Sequence, residues 1–544
     1  MNGVHPEAFK AMDKQLRGIV FKFCRRFWLG EDFKGWHMSR VISVPMVGDL
    51  SNPNKWRGVM LMDVCSKIFS SILNGRLFKI VEANGNRFQF GGTPKVGCAD
   101  GLFTLKTLLN MRRNHNLSTH VAFVDLVKAF DTANHELLIR ILKKYGAPPV
   151  LCSVVKRLYT DLKVVLKIGK SVREISQEVG VKQGDNMAPV LFLFLMNAFA
   201  DSLEKIWEDK GLKKVQVQHV SDDDFEDGKR NIAVKSHVES QFGSKKLETL
   251  TVYQCLYVDD GAFPFESREQ LKLGTQVIYD HFTRFGLDMH IGRTVDGETT
   301  ASKMKCVFFP PPCFARDRET PSEICNEAGS SEGGKAIENR PVFNRNWKKK
   351  EKKEYSKKAA KVKEEQESTF YFSMEETKPV DVADGFITYT MHFKYLGSFI
   401  SYNLLDDFDI NTRIDKANQS MGALKHFFNN PHVNKKSKYL IFKAIPINLL
   451  LWGCETWAIK QTHRDKLEAF LQRHLRRILK IPMSQVMEEH ISSDQMREKF
   501  YNIPNITTMI AVRQLSFIGK VVRSDTPNLP TKSMSTACCN HPRC

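Results

Sequence analysis

The apolar residues of this chain follow two spacings, and each spacing predicts a different kind of element. Apolar positions every three or four residues predict helices over Glu7–Phe27 and Glu269–Phe285. Short, continuous apolar runs predict buried strands at Val121–Val124 and Cys306–Phe309. Helices and strands are therefore interspersed through the first 310 residues, and a mainly helical region follows from Ile410 onward.

One stretch, Leu250–Phe265, organises the rest of the chain. Strand-forming residues lead into Asp259-Asp260-Gly261, and a second apolar run follows, which is typical of a β-hairpin with a tight turn. The turn allows both carboxylates to lie on one side of the hairpin, where they would attract a hard cation such as Mg²⁺. Asp and Gly are also favoured in turns that have no function, so this motif alone does not decide between a metal site and a simple turn.

A third carboxylate, Asp125, follows the predicted strand Val121–Val124 directly. The exit of a strand is a common place for a functional carboxylate, although a capping or ion-paired aspartate is the alternative. A helix capped by Asn134 is predicted shortly afterwards. If the two strands are neighbours in one sheet, three carboxylates converge around metal ions about 4 Å apart, which is the arrangement that phosphoryl transfer needs.

Composition favours a nucleic-acid partner. The 544 residues include 81 Lys and Arg against 61 Asp and Glu, a net charge of +20, and 42% are hydrophobic. Such a chain forms several lobes and attracts polyanions, either nucleic acid or membrane phosphates. The most apolar stretch, Ala188–Ala200, is too short to span a bilayer, and no export signal precedes the first helix.

Twelve cysteines are scattered irregularly, which favours reduced thiols over a disulfide framework. The tail Cys538–Cys544 is richer in soft ligands, but its spacing matches no standard zinc motif, so we do not expect zinc there.

Four stretches resemble, in chain order, the palm motifs of reverse transcriptases of the non-LTR (LINE-like) retrotransposon type. These stretches are Phe123–Asp131, Gly180–Phe192, Tyr257–Asp260 and Phe393–Gly397. The resemblance implies an α+β fold with right-hand polymerase architecture, in which fingers, a palm with an antiparallel sheet and a helical thumb surround the site. It also implies RNA-directed DNA polymerase activity by two-metal nucleotidyl transfer, with Mg²⁺ as the cofactor and Mn²⁺ as its substitute.

The resemblance assigns roles to individual residues. Asp125, Asp259 and Asp260 would be catalytic and, with the carbonyl of Leu126, would bind the metal. Around the nucleotide, Arg57 would bind the triphosphate, Phe130 would act as a gate below the sugar, and Gln183 and Gly184 would lie against the nucleotide and the template. Tyr395, Leu396 and Gly397 would form a primer grip. Lys303 would donate a proton to the leaving diphosphate.

Two departures from the family pattern concern lysines. Met46-Val47 stands where relatives often carry lysines, which would weaken a phosphate contact. The lysine expected as proton donor could correspond to either Arg293 or Lys303. We prefer Lys303, because a guanidinium is too weak an acid to donate a proton readily.

Composition and resemblance together predict a division of the chain into six regions. They are an N-terminal extension and fingers (1–120), a palm (121–310) with a charged insertion at about 208–246, a low-complexity basic linker (311–385), a primer-grip-like hairpin (386–409), a thumb-like helical region (410–490) and a C-terminal extension (491–544).

The partners expected from the resemblance are template RNA, a DNA primer or target and deoxynucleoside triphosphates, without a membrane. The expected location is intracellular, in the nucleus or a cytoplasmic ribonucleoprotein. A group II intron-type maturase and an inactive RNA-binding remnant are the competing interpretations. With no room for an endonuclease before the fingers and no RNase H-like array of acids, we expect a polymerase module from a larger or decaying element.

Overall fold

The structure is a computed structural model that describes residues 6–45, 49–52, 55–93, 95–220, 247–295, 297–312 and 349–523. Several predictions fall outside the described residues, namely those on Met46-Val47, on the tail Cys538–Cys544 and on the central parts of the two insertions, 221–246 and 313–348.

Sixteen strands lie in the described parts of the chain. They are β1 (Met38–Pro45), β2 (Trp56–Leu61), β3 (Thr119–Val124), β4 (Lys163–Ile168), β5 (Ser171–Ser176), β6 (Val215–Val220), β7 (Leu247–Val252), β8 (Cys255–Tyr257), β9 (Asp260–Phe265), β10 (Arg293–Val295), β11 (Glu298–Thr300), β12 (Lys305–Phe309), β13 (Val380–Val382), β14 (Gly385–Tyr389), β15 (His392–Tyr395) and β16 (Ser398–Ser401).

The helices of the same parts are α1 (Pro6–Lys10), α2 (Lys14–Trp28), α3 (Val64–Asn84), α4 (Cys98–Asn114), α5 (Ala129–Thr132), α6 (His135–Lys144), α7 (Pro149–Leu158), α8 (Ala188–Asp209), α9 (Arg268–Arg284), α10 (Lys349–Ser373), α11 (Asp407–Ala423), α12 (Lys425–Asn429), α13 (Lys435–Phe442), α14 (Asn448–Leu450), α15 (Gln461–Leu479), α16 (Met483–Glu488), α17 (Ser493–Glu498) and α18 (Ile506–Val522). The predicted α+β class is confirmed.

A six-stranded sheet forms the centre of the fold, in the order β13-β14-β12-β3-β9-β8. Its pairs are antiparallel except for β12 and β14, which run parallel. All six residues of β3 are buried, as the continuous apolar run predicted. Helices α8 and α9 contact one another, and α9 packs against β3 and β9. This sheet and its helices enclose the larger of two hydrophobic cores, and the helices from α11 onward enclose the smaller one.

A second sheet, in the order β2-β1-β4-β5, combines two strands that precede β3 in the chain with two that follow it. Strand β2 was not predicted, because its charged and small residues, Arg57 and Gly58, interrupt the apolar pattern. It joins the central region through the amide of Met60, which donates to the carbonyl of Gln183 over 2.8 Å. The second sheet is therefore held against a loop of the predicted site.

Three local predictions were wrong at their boundaries. The predicted strand Leu250–Val258 is two strands, β7 and β8, because the chain bends at the buried residues Tyr253 and Gln254. The predicted helix Glu7–Phe27 is divided into α1 and α2, since Asp13 caps a new helix with its side chain. In the helical region after Ile410 the sequence also predicts a helix that starts at Thr462 as its cap, but α15 begins at Gln461 with Lys460 as its cap.

The two predicted insertions are partly regular structure. Strand β6 lies within the segment predicted as a charged surface insertion and pairs with β7. The predicted linker contains α10, β13 and the first residue of β14. The hydroxyl of Tyr371 donates to the carbonyl of Thr390 over 3.2 Å and accepts from the amide of Phe308 over 2.8 Å, which ties the end of α10 to the sheet. The charged composition of the segment concealed these few anchoring residues.

Within the described residues, no helix combines the length and the apolar content needed to cross a membrane. The described cysteines are free thiols, in agreement with the irregular spacing: Cys24, Cys65, Cys98, Cys152, Cys255, Cys306 and Cys454.

Candidate active site

The acidic hairpin predicted from Asp259 and Asp260 is present. Strands β8 and β9 pair so that Tyr257 lies opposite Asp260, which leaves Val258 and Asp259 as a two-residue turn. Val258 has a φ of +59°, the left-handed region that a β-branched residue seldom adopts. The tight turn therefore places two adjacent carboxylates at the end of the hairpin.

Asp125 lies beside this hairpin. Strand β3 pairs with β9 in a register that sets Val124 opposite Gly261, so the next residue, Asp125, comes opposite Asp260. Both carboxylates line one cleft of about 210 Å³. The convergence of acids from two distant segments is thus a consequence of the strand register.

Burial and neighbouring negative charge raise the pKa of the two hairpin carboxylates. Burial, together with the charges of Asp259 and Asp125, raises the pKa of Asp260 to about 6. Burial and the charge of Asp125 also raise the pKa of Asp259, while Arg57 acts in the opposite direction. Such mutual repulsion is what a bound cation would relieve.

The donor set suits a hard cation that keeps some ligands for the substrate. Asp125 and Asp260 supply carboxylate oxygens to one cleft. Within the described ranges, no three His, Cys, Asp or Glu side chains are grouped closely enough to hold a metal by themselves. A Mg²⁺ ion, which commonly takes one or two carboxylates plus substrate phosphates, fits this arrangement. The chain around Leu126 pairs with the chain around Met289 through two backbone hydrogen bonds, from the Val127 amide to the Asp288 carbonyl and from the His290 amide to the Asp125 carbonyl. The carbonyl of Leu126, a predicted metal ligand, takes part in neither of these two bonds.

The structure separates the two candidates for proton donor. Lys303 lines the cleft, with Nζ 4.0 Å from Oδ2 of Asp125 and 64% of its side chain exposed. Arg293 instead pairs with Asp384, with Nε 3.0 Å from Oδ2. Lys303 is therefore the candidate that faces the acids.

Arg57 and Gln183 converge on Asp131 at the edge of the acidic site. Burial raises the pKa of Asp131 and of Asp259, and the charge of the exposed Arg57 guanidinium opposes both shifts. Nε2 of Gln183 donates to Oδ1 of Asp131 over 3.1 Å. Gly184 has a φ of +109°, and a Cβ there would be 2.6 Å from the carbonyl oxygen of Met60. Only glycine lets this loop approach β2 so closely.

Phe130 lies in α5, whose backbone pairs with the residues just before this loop, and is half-buried. Its ring stacks on Phe192 of α8, with centroids 4.5 Å apart. Its carbonyl accepts from the amide of Val181 over 2.7 Å. The ring is thus fixed by packing on one side and by the backbone on the other.

Tyr395 ends β15, and Leu396 and Gly397 form the turn to β16, next to the acidic hairpin. The buried hydroxyl of Tyr395 donates to the carbonyl of Cys255 in β8 over 2.8 Å. A Cβ on Gly397 would lie 2.9 Å from the indole nitrogen of Trp452. The predicted primer-grip turn is therefore packed between β8 and the helical region.

Two residues that sequence reasoning did not single out belong to this neighbourhood. Lys394 lines the cleft, and its charge partly opposes the rise in the pKa of Asp260 that burial and the neighbouring acids cause. The buried side chain of Gln89 contacts the backbone of the catalytic turn. Lys394 could have been found from its position beside the Tyr395 motif, whereas no sequence pattern marks Gln89.

Comparison with known proteins agrees with this geometry. Residues 48–295 match the family model described as "Reverse transcriptase (RNA-dependent DNA polymerase)". The chain is 28% identical over 193 residues to the Pol polyprotein of the type-1 retrotransposable element R2 of Popillia japonica, an alignment of 35% of this chain and 27% of that protein. It is 29% identical over 204 residues to the corresponding type-2 R2DM polyprotein of Drosophila melanogaster, covering 37% of this chain and 19% of that one.

A more distant relative is the transposon TX1 149 kDa protein of Xenopus laevis, 27% identical over 35% of this chain and 16% of that protein. The chain therefore aligns with about a quarter or less of the length of these relatives. Among solved structures, apo telomerase from Candida Tropicalis shares 10% identity over 54% of this chain and 55% of that chain. At its TM-score of 0.33 this similarity supports no conclusion.

The match over residues 48–295 and the mixture of helices and sheets agree with the predicted right-hand polymerase architecture. More narrowly, residues 48–295 match a reverse transcriptase domain, and the relatives aligned with the chain include polyproteins of R2 retrotransposable elements, in agreement with the predicted family. Reverse transcriptases use divalent metal ions, in keeping with the carboxylates that face the cleft.

Proposed function

We propose that this chain is an RNA-directed DNA polymerase that adds deoxynucleotides to a DNA primer on an RNA template. The observation that carries this proposal is the strand register that brings Asp125 opposite Asp260 in one cleft, with Asp259 in the adjoining turn. Mg²⁺ bound there would activate the primer hydroxyl and neutralise charge on the leaving diphosphate. The positive surface charge, +20 overall, would attract the template and primer.

Three residues of the chain would position the nucleotide, the leaving diphosphate and the primer. Arg57, fixed in β2 near Asp259, would bind the triphosphate with its planar set of donors. Lys303 would hold a proton at Nζ for the leaving diphosphate, since its exposed ammonium faces the acids. Tyr395, tied to β8, would keep the primer-grip turn in register with the catalytic hairpin.

The metal requirement is expected to depend on pH. Because the pKa of Asp260 is raised to about 6, a proton occupies this carboxylate below that pH and competes with Mg²⁺. We expect the Mg²⁺ concentration for half-maximal activity to rise roughly tenfold per pH unit below pH 6 and to level off above pH 7. Magnesium titrations at six pH values measure this, and a requirement that stays constant from pH 5 to 8 would contradict the assignment of Asp260.

Phe130 is expected to exclude ribonucleotides. Its ring, held against Phe192, would lie where a 2′-hydroxyl would otherwise fit. For Phe130→Ala we expect ribonucleotide incorporation, relative to deoxynucleotide incorporation, to rise about 10- to 100-fold. Phe130→Tyr keeps the ring and should keep the discrimination. The ratio of kcat/KM values for the two sugars is the measurement, and equal ratios in the wild type and Phe130→Ala would refute the gate.

Copying of an RNA template by the purified chain tests the proposed function. We expect a labelled DNA primer annealed to RNA to be extended in Mg²⁺ and the product sequence to be complementary to the template. A chain that binds the hybrid but adds no nucleotide would instead be an RNA-binding remnant. We further propose that the protein acts in the nucleus or in a cytoplasmic ribonucleoprotein, where template RNA and target DNA are found.

A further inference from the structure

The catalytic turn is bound from outside the hairpin by one buried side chain. Oε1 of Gln89 accepts from the backbone amide of Val258 over 2.8 Å and from that of Gly91 over 3.0 Å. The side chain of Gln89 is 2% exposed. Because two N–H donors face the same oxygen, the amide orientation is determined, and Nε2 points to the Val258 carbonyl 3.5 Å away.

The segment around Gln89 also extends the edge of the central sheet. Leu256 of β8 donates to the Phe88 carbonyl and accepts from the Phe90 amide, both over 2.8 Å. A Cβ on Gly91 would lie 2.7 Å from the backbone nitrogen of Val258. Residues 88–91 therefore form a close-fitting support for the catalytic turn, although more than 160 residues separate the two in sequence.

Val258 needs such support because its backbone is strained. Its φ of +59° is unfavourable for a residue branched at Cβ, and such conformations persist only where surrounding contacts hold them. Gln89 bonds both the amide and the carbonyl side of this residue. The next residue in the chain is Asp259, so the conformation of Val258 sets where that carboxylate lies.

We propose that Gln89 is a positioning residue whose side-chain amide holds Val258 in the left-handed conformation and thereby places Asp259 beside Asp260. This inference deepens the proposed function and rests on it for its catalytic consequence. The structural part, that Gln89 restrains the turn, stands independently of any activity.

Hydrogen exchange tests the structural part. In Gln89→Met, which keeps the length but removes both polar groups, we expect the Val258 amide to exchange at least about tenfold faster, measured by mass spectrometry on peptides spanning residues 255–262. The matched control is Gln254→Met, which makes the same change at an equally buried glutamine. Gln89→Glu retains an accepting oxygen and should keep the amide protected. Unchanged exchange in Gln89→Met, or equal acceleration in both Met variants, would overturn the proposal.

A double-mutant cycle tests the catalytic part. We expect Gln89→Met to lower kcat for single-nucleotide addition about 100-fold with little change in KM, since a misplaced carboxylate affects the chemical step. Glycine adopts the left-handed conformation freely, so in a Val258→Gly background the same substitution should cost tenfold or less. If Gln89→Met lowers kcat by the same factor in the wild type and in the Val258→Gly background, the positioning role is rejected.

The two failures can be told apart. If the wild type adds no nucleotide, the proposed polymerase function fails, and the exchange experiment still decides whether Gln89 restrains the turn. If the wild type is active and exchange at Val258 is insensitive to Gln89, only the positioning inference fails.

Discussion

Asp259→Asn is expected to reduce DNA synthesis at least about 1000-fold while leaving affinity for an RNA–DNA hybrid within twofold. The substitution keeps the size of the side chain but removes a negative charge from the acidic cluster with Asp125 and Asp260. A loss of about 4 kcal/mol of transition-state stabilisation corresponds to this change in rate. Single-turnover extension and filter binding measure the two quantities.

The same loss of activity is expected for Asp125→Asn, because the strand register makes the two segments one site. The matched control is Asp209→Asn at the exposed end of α8, which should behave like the wild type. Retention of more than a tenth of wild-type activity by Asp259→Asn would mean that this carboxylate is not a ligand for a catalytic metal.

Asp409→Ala is expected to destabilise the protein by about 3 kcal/mol, the second-largest effect. The carboxylate of Asp409 is fully buried. Its Oδ2 accepts from the hydroxyl of Ser398 over 2.6 Å and from the indole of Trp457 over 3.0 Å, and Oδ1 lies 3.4 Å from Nε of Arg413. Alanine would remove the acceptor of three donors, since the amide of Phe399 also donates to Oδ1 over 3.0 Å, and would leave the buried guanidinium of Arg413 without its carboxylate partner. This costs more than the loss of one hydrogen bond.

Urea unfolding measures this change as a lower transition midpoint. Asp415→Ala on the same helix, α11, removes an exposed carboxylate and should change the stability by less than about 0.5 kcal/mol. Since Ser398 belongs to β16, Asp409 joins the predicted primer-grip hairpin to the helical region. Equal midpoints for Asp409→Ala and the wild type would show that this buried network does not stabilise the junction.

The sequence predicted those parts of the site that depend on local pattern. Asp259 and Asp260 follow a strand and precede a glycine, and Asp125 ends a continuous apolar run, so each acid could be placed at the end of an element. The family resemblance then related the two segments. The preference for Lys303 over Arg293 rested on acidity alone, and the structure adds that only Lys303 faces the acids.

The sequence could not predict contacts that arise from tertiary packing. Gln89 stands between apolar residues with no motif of its own, and its role follows only from the pairing of residues 88–90 with β8. Strand β13 was taken for linker because three residues are too short for a periodicity to be recognised. Asp409 has the sequence context of a helix N-terminal acid, which hides its burial.

Single-turnover addition of one deoxynucleotide by the full chain tests the central claim most directly. With excess enzyme, a DNA primer on an RNA template and Mg²⁺, we predict a product one nucleotide longer and one diphosphate released for each primer extended. Stable binding of the hybrid and of the nucleotide, without extension or diphosphate release, would show that the three converging carboxylates do not form a polymerase site.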